Sequence, residues 1–348
     1  MAGPITTPLT TLLGFQHPII LAGMARVSGG SLAAAVANAG GLSVVGGYQC
    51  TPEQLRATIA EMKASFSRPD LPFGVDLALP KIGGSARKTN YDCTGGRLED
   101  LIDITISSGA KIFVSSAGVP SRELIEKLHM AGILVMNMVG HPKHAVKALD
   151  AGADIVCAQG TEGRGHVGDI ATSILIPAVV DVARRYRPPL LNGSTALVVA
   201  GGGISSGRSL ASSLMQGSVA VWVSTRFVAS VEANASSAEK QAILDCSYDD
   251  TERTLVLTGR PLRMRSNDYI RSWHARRDEV HRLCDVGIIP YEQDTRTGKP
   301  VEIPFAMGQV AGSITDILPA KQIVDDMVKE ATVMLRLAST YLGERSKL

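Results

Sequence analysis

The chain has 348 residues, of which 45% are hydrophobic and 4% aromatic, and its 35 basic and 33 acidic side chains leave a net charge of +2. A balance so close to neutral gives no reason to expect nucleic acid or an anionic membrane as a partner. The five cysteines are scattered and form no C-x-x-C pair, which indicates reduced thiols, so we predict no bound metal. Neither a signal-peptide pattern nor a membrane-spanning apolar run occurs, and we expect a soluble protein that is not secreted.

Short β-rich runs alternate with helical patterns over the first two thirds of the chain. This alternation predicts βα units around a parallel sheet. An open doubly wound sheet usually has roughly five to seven strands and a glycine-rich turn after the first. Here eight runs occur and the richest glycine turn follows the seventh, so we predict an α/β fold of the (β/α)8, or TIM, barrel type. The predicted strands are residues 18–22, 42–46, 73–79, 111–115, 133–139, 154–159, 196–201 and 219–224.

The alternation stops after Phe227. Residues 230–312 are more polar and charged and show helical patterns without a clear buried strand. We predict a smaller, mainly helical lid lobe there, inserted into a barrel made of residues 1–229 plus 313–348. A final helix at about 319–342 carries one apolar stripe and is expected to pack back on the barrel. The oligomeric state stays open, with a homodimer as one option.

Two loops at neighbouring strand ends suit a phosphate. Active sites of such barrels lie at the carboxyl ends of the strands, and a phosphate frequently binds between the loops after strands seven and eight. Val199-Ala-Gly-Gly-Gly-Ile-Ser-Ser-Gly207 lets backbone N–H groups approach a ligand and opens a helix at its serines. Trp222-Val-Ser-Thr-Arg226 supplies the other half, and the spacing fits flavin mononucleotide (FMN). A single glycine loop is usually only a tight turn, but the pair favours phosphate. The candidate ligands are Gly202, Gly203, Trp222, Val223, Ser224 and Thr225.

A third glycine-rich stretch follows the sixth predicted strand and contains a histidine. In Cys157-Ala-Gln-Gly-Thr-Glu-Gly-Arg-Gly-His-Val-Gly-Asp169, glycines surround His166, so the backbone can fold into the barrel mouth and present the imidazole. A lone histidine is ordinarily structural. This position favours proton transfer, because histidine titrates near neutrality and can take a proton from a weak carbon acid. His141, after the fifth predicted strand, is the competing candidate, although Pro142 beside it indicates a helix start.

The ends of the first and third predicted strands offer further ligands. Gly23, Met24 and Ala25 present backbone groups and a thioether beside a planar ring, although core packing explains Met24 equally well. Asp76, between two apolar positions, is placed to bond a polar ring edge or a ribityl chain.

Taken together, these segments resemble the nitronate monooxygenase family, formerly called 2-nitropropane dioxygenases. The resemblance runs over nearly the whole chain, with order and spacing in agreement. It rests on His17-Pro-Ile-Ile with Gly23-Met24, Ala35-Val-Ala-Asn-Ala-Gly-Gly-Leu42, Phe73-Gly-Val-Asp76, Gln159-Gly-Thr-Glu-Gly-Arg-Gly-His166, Ala200-Gly-Gly-Gly-Ile204 with Gly207-Arg208, Ser224-Thr-Arg-Phe227, and Thr258-Gly-Arg-Pro-Leu-Arg263 followed by Asn267.

The resemblance implies a cofactor, a reaction and a set of contacts. His166 falls on the catalytic histidine, which deprotonates a neutral nitroalkane, while a nitronate is bound directly. FMN and dioxygen then convert the nitronate to an aldehyde or ketone and nitrite. The partners implied are therefore a small-molecule substrate and dioxygen. The FMN contacts carried over are Gln159, Gly202, Gly203, Ser224 and Thr225, and Gly165 beside the histidine joins them as a predicted contact.

Three departures from the family pattern matter. Arg164 stands where the family usually has glycine, and this cation would hold an anionic nitronate or lower the pKa of His166. We therefore predict Arg164, with His141 as a second candidate, as a substrate-binding residue. Asp76 replaces the more usual asparagine. Trp222 and Ser224 alter the Gln-Met-Gly-Thr pattern of strand eight.

Other functions on the same scaffold stay open. NADH:quinone reductases and flavin-dependent enoyl-acyl-carrier-protein reductases are similar at strands six to eight, and a flavin-carrying accessory protein is a third option. The absence of a G-x-S-x-G elbow, a Walker loop and a zinc motif argues against hydrolases, nucleotide triphosphatases and metalloenzymes. No Rossmann fingerprint occurs, so a nicotinamide donor would bind only transiently over the flavin.

The sequence ends on Ser346-Lys347-Leu348, the tripeptide address that the peroxisomal import receptor reads. It follows an amphipathic helix and a short polar tail, which should leave it accessible. We expect the protein in the peroxisomal matrix, with that receptor as a partner, and otherwise in the cytoplasm.

Overall fold

Eight parallel strands form a barrel in the computed structural model, which describes residues 3–79, 84 and 86–342. The barrel strands are β1 (Ile19–Leu21), β2 (Ser43–Gly46), β3 (Phe73–Ala78), β4 (Ile112–Ala117), β5 (Leu134–Val139), β6 (Ile155–Gln159), β8 (Leu197–Gly201) and β9 (Ala220–Val223), and the short β7 (Gly165–His166) lies outside the barrel. Neighbours follow the order β1-β9-β8-β6-β5-β4-β3-β2. A bridge between Ile20 and Leu42 joins the first strand to the second and brings the ring together.

Helices cover the outer face of the barrel, and local chemistry starts several of them. At the start of the helix after β2, the Thr51 hydroxyl accepts from the Gln54 N–H, and the Gln54 side chain accepts from the Thr51 N–H. These two reciprocal bonds form a capping box. The helices of the barrel are α1 (Pro8–Leu13), α2 (Gly30–Asn38), α3 (Pro52–Ala64), α4 (Leu98–Ser107), α5 (Arg122–Met130), α6 (Pro142–Ala151), α7 (Thr172–Ala183), α8 (Gly207–Met215), α9 (Thr225–Val228) and α14 (Ala320–Thr340).

The barrel strands are apolar because both of their faces are covered. Helices pack on the outside and side chains fill the interior, so Phe113, Met136 and Val156 are all completely buried. The predicted barrel is confirmed, and every predicted strand lies within two residues of its observed bounds. The predicted final helix is α14, which packs on α8 and α2.

The segment 230–312, predicted as a mainly helical lobe, also contains an antiparallel hairpin. Its strands, β10 (Thr251–Thr254) and β11 (Leu262–Arg265), pair with each other, and β11 pairs in turn with β7. The prediction missed this hairpin because both strands are polar and only partly buried, so they form no apolar run. The helices of the segment are α10 (Ser237–Leu244), α11 (Asp268–His274), α12 (Arg277–Asp285) and α13 (Pro290–Arg296).

This segment has a small hydrophobic core of its own, built around Val256, Met264, Ile270, Trp273 and Val280. Its predicted limits at 230 and 312 stay a prediction. None of the helices in the described part of the chain could cross a membrane. The predicted import address at 346–348 lies outside the described residues.

Candidate functional site

A cavity of about 360 Å³ opens at the carboxyl ends of the barrel strands. Barrels carry their active sites at this end, and the volume lies in the range of small-molecule sites. Residues from strands far apart in the sequence meet here. The predicted site residues that line it are Gly23, Met24, Ala25, Asp76, Gln159, Arg164, Gly165, His166, Gly202, Trp222 and Ser224.

A second, smaller cavity adjoins the first between the loops after β8 and β9. The predicted residues Gly203 and Thr225 line it, and Arg164 lines both cavities. Val223 lines neither cavity, because its side chain is completely buried in the barrel core. His141 also lies outside both, since it precedes the first turn of α6 and its Nδ1 accepts from the Lys143 N–H.

His166 is held by the lobe as well as by the barrel. It lies on β7, whose partner β11 belongs to the lobe hairpin, with His166 opposite Leu262. From the barrel side, the Gln159 side-chain amide donates to the carbonyl oxygens of Arg164 and His166. The backbone of residues 164–166 is therefore held from both sides, which positions the imidazole.

The hydrogen bonds around Thr258 determine the tautomer of His166. The Thr258 hydroxyl lies 3.0 Å from Nε2 of His166 and 3.2 Å from the carbonyl oxygen of Arg260. When both contacts are made as hydrogen bonds, the single hydroxyl proton goes to the Arg260 carbonyl, which can only accept. Nε2 then carries the imidazole proton and donates it to Thr258. Nδ1, which has no hydrogen bond to any described residue, is left as the basic atom.

His166 is neutral at physiological pH. Burial and, as the smaller cause, the positive charge of Arg260 lower its pKa to about 4. The sequence points to Arg164, two positions before His166, as a candidate source of this charge effect. The structure assigns it to Arg260, which the lobe brings to the same cavity.

Arg164 is already paired within the protein. Its Nε donates to the Ala306 carbonyl at 2.8 Å, and its terminal nitrogen lies 3.2 Å from the carboxylate of Glu239 on α10. The side chain is 13% exposed, and burial lowers its pKa while Glu239 raises it. Arg164 lines the smaller cavity, between the loops after β8 and β9. Glu239 balances its charge there.

Asp76 is a buried acid with an unsatisfied oxygen. It is 4% exposed, and its Oδ1 has no hydrogen-bond partner among the described residues. Burial raises the pKa of Asp76 to about 7, although hydrogen bonds from Ser116 act in the opposite direction. A Cβ at Gly23 would collide with Asp76, so glycine at that position is what lets the backbone approach the carboxyl group. In its protonated form Asp76 can donate a hydrogen bond, as the asparagine usual in the family can.

The smaller cavity has the features of a phosphate site. Gly202 and Gly203 adopt φ angles of +95° and +69°, which only glycine adopts readily, and their backbone lines the cavity. The hydroxyl of Thr225 accepts from the Gly308 N–H, so its proton is free for a ligand. The start of α8 offers fewer free N–H groups to a phosphate than the sequence predicts, because the N–H groups of Ser205 and Ser206 already donate to Ser209 Oγ.

Several lining residues were not predicted to contribute to the site. Tyr48 and Ser116 lie just after β2 and near the end of β4, so the strand-end rule could have found them. Thr258 and Arg260 come from the lobe and had no local signal except their place in a segment similar to the family.

These cavities fit a flavin. The polar edge of a flavin ring can lie against Gln159 and the unsatisfied Asp76 oxygen. The anionic phosphate end of the molecule can be held by Arg164, Thr225 and the Gly202–Gly203 backbone. The two cavities share lining residues, among them Arg164, Gly202 and Ser224, so they are adjacent.

The chain is similar to known proteins over most of its length. Residues 6–330 match the nitronate monooxygenase family. The chain is 33% identical to a Mycobacterium tuberculosis protein named (3aS,4S,5R,7aS)-5-hydroxy-7a-methyl-1-oxo-octahydro-1H-indene-4-carboxyl-CoA dehydrogenase, over 97% of this chain and 99% of that one.

Two solved structures share the whole fold. FabK from Thermotoga maritima is 29% identical with a TM-score of 0.77, covering 97% of this chain and 100% of its own. Nitroalkane oxidase from Streptomyces ansochromogenes is 27% identical with a TM-score of 0.78, covering 96% of this chain and 100% of its own.

Proposed function

This chain belongs to the nitronate monooxygenase family of flavin oxidoreductases, and we propose that it uses FMN and dioxygen to oxidise nitronates and nitroalkanes to a carbonyl compound and nitrite. His166 carries this proposal. It is a neutral imidazole with a defined basic atom in a cavity that fits a flavin.

In this proposal, His166 Nδ1 takes the proton from the carbon that bears the nitro group. The C–H electron pair moves into the C–N bond, the nitro group becomes the anionic nitronate, and the imidazole becomes a cation. Thr258 keeps Nε2 protonated throughout, so proton transfer is confined to Nδ1. A substrate that arrives as a nitronate omits this step.

Several residues would hold FMN. Gly202, Gly203, Thr225 and Arg164 would hold its phosphate, and Asp76 would donate to the ring edge. When bound, FMN supplies the electron acceptor and the route to dioxygen. One cation and one glycine-lined cavity suit a single phosphate, which favours FMN over a dinucleotide.

An anaerobic titration tests the proposal. FMN-loaded protein is mixed first with NADH and then with a nitronate, and the flavin absorbance is followed. Bleaching by the nitronate but not by NADH, with oxygen uptake and nitrite release in air, is the expected result. An absorbance that no nitronate changes would contradict it.

A second candidate is a dehydrogenase or NAD(P)H-dependent reductase that acts on a thioester. The name of the Mycobacterium tuberculosis relative, a carboxyl-CoA dehydrogenase similar over 97% of this chain, favours it. Rapid bleaching by NADH, or reduction of the flavin by an acyl-CoA, would support this alternative.

A further inference from the structure

We propose that Arg260 is the specificity residue of this site and binds a carboxylate carried by the substrate, separate from the group that reacts at His166. This inference rests on the proposed function only for the identity of the group that reacts at His166. The binding of an anion at Arg260 does not depend on that function.

Arg260 is a cation that lines the cavity, and its side chain has no partner among the described residues. Its guanidinium makes no ion pair and no hydrogen bond with any described residue, while its backbone bonds only to Thr258. Three other arginines of this region have partners. Arg164 pairs with Glu239, Arg253 with Asp169, and Arg263 donates to Thr161 and Thr251.

The surroundings of Arg260 favour an anion. The side chain is largely withdrawn from solvent, and burial together with the nearby Arg87 lowers its pKa. No carboxylate in the described part of the chain offsets this charge. A desolvated cation without a partner is unfavourable, so an anionic ligand would be stabilised at this place in the cavity.

Phenol groups beside Arg260 can complete the anion site. Tyr48 and Tyr91 both line the cavity, and their hydroxyl oxygens lie 2.9 Å apart. Gln49 donates to the Tyr91 oxygen at 3.0 Å. One of the two phenol protons forms the hydrogen bond between the two oxygens. The other phenol proton can be donated to a ligand. A guanidinium and an O–H group together recognise a carboxylate well.

His166 and Arg260 line the same cavity. Thr258 contacts both the His166 ring and the Arg260 backbone, so the two residues are neighbours there. A molecule held at both would place its acidic C–H at His166 and its carboxylate at Arg260. Binding of that carboxylate would offset the charge of Arg260, which otherwise weakens His166 as a base.

Anion binding can be measured without turnover. FMN-loaded protein is titrated with propionate while the perturbation of the flavin absorbance is followed, for the wild type, Arg260→Met, Arg260→Lys and the control Arg282→Met, an exposed arginine on α12. We expect propionate affinity to fall by about tenfold or more in Arg260→Met, to recover in part in Arg260→Lys and to be unchanged in Arg282→Met. Equal affinity in the wild type and Arg260→Met would overturn the proposal.

Turnover provides an independent readout. The ratio of kcat/KM for propionate 3-nitronate to that for propane 1-nitronate should fall by about tenfold in Arg260→Met, mainly through KM. Equal losses on both nitronates would overturn the assignment. Arg260-dependent binding of coenzyme A but not of propionate would also overturn it and point to a thioester's phosphates. Propionate binding in a protein that oxidises no nitronate would reject the proposed function and retain this inference.

Discussion

The hydroxyl of Thr258, on the lobe, lies 3.0 Å from Nε2 of His166, on the barrel loop. Since the hydroxyl donates to the Arg260 carbonyl, it accepts from the histidine and fixes the basic atom as Nδ1. The lobe therefore contributes more than lining residues to the cavity. It sets the protonation pattern of the residue expected to perform the chemistry.

Replacing this hydroxyl should weaken the base selectively. In Thr258→Val, either imidazole nitrogen can carry the proton, and we expect kcat/KM for a neutral nitroalkane to fall by roughly tenfold or more. Activity on the preformed nitronate should change little. Thr258→Ser retains the hydroxyl and serves as the matched control. An equal loss on both substrates would indicate that Thr258 acts only on structure.

Replacing His166 itself separates proton transfer from the later steps. His166→Asn should lose on the order of 10²-fold or more on nitroalkanes and retain much of its activity on nitronates, since these need no deprotonation. Steady-state oxygen uptake with the two substrate forms measures both values. Equal losses would reject His166 as the base.

The pH profile of the wild type follows from the same residue. Because the pKa of His166 is lowered to about 4, the basic form is present throughout the neutral range. We expect kcat/KM for a nitroalkane to have no histidine limb near its ordinary pKa and to decline only below about pH 5. In Arg260→Met the limb should move to higher pH, because one of the two causes of the low pKa is removed. A limb at the same pH in both proteins would contradict the charge effect.

The barrel could be predicted from the sequence because its signal is local. Each strand is a short apolar run buried on both faces, and the strand-end rule then places His166, Gly202 and Ser224 at one opening. Arg260 and Thr258 could not be placed in this way. They reach the cavity through pairing of β7 with β11, two short polar strands almost a hundred positions apart in sequence. For the same reason, the sequence offers Arg164, two positions before His166, as a cation that would lower its pKa or hold a nitronate, and gives no sign of Arg260.

Asp76 should make stability depend on pH. Its pKa is raised to about 7 by burial, so the folded state holds a proton that the unfolded chain releases near pH 4. The associated stability is present at low pH and is lost as the pH rises from about 4 to about 7. Asp76→Asn lacks this loss, and we expect it to exceed the wild type by roughly 2–4 kcal/mol at about pH 8 and by much less at about pH 5. Urea unfolding of the flavin-free proteins measures the difference, and a gap that does not change with pH would contradict it.

Arg164 should distinguish FMN from riboflavin. Its side chain reaches the glycine-lined cavity between the β8 and β9 loops, where a phosphate would add a negative charge beside it. Arg164→Met should therefore weaken FMN binding by about tenfold or more while riboflavin, which lacks the phosphate, binds nearly as before. Glu239→Gln removes the internal partner of Arg164 and should tighten FMN binding, because the cation is then less compensated. Fluorescence titration of the flavin-free proteins gives the dissociation constants. If Arg164→Met weakened both flavins equally, the residue would act by holding the loop through Ala306, and the phosphate assignment would be rejected.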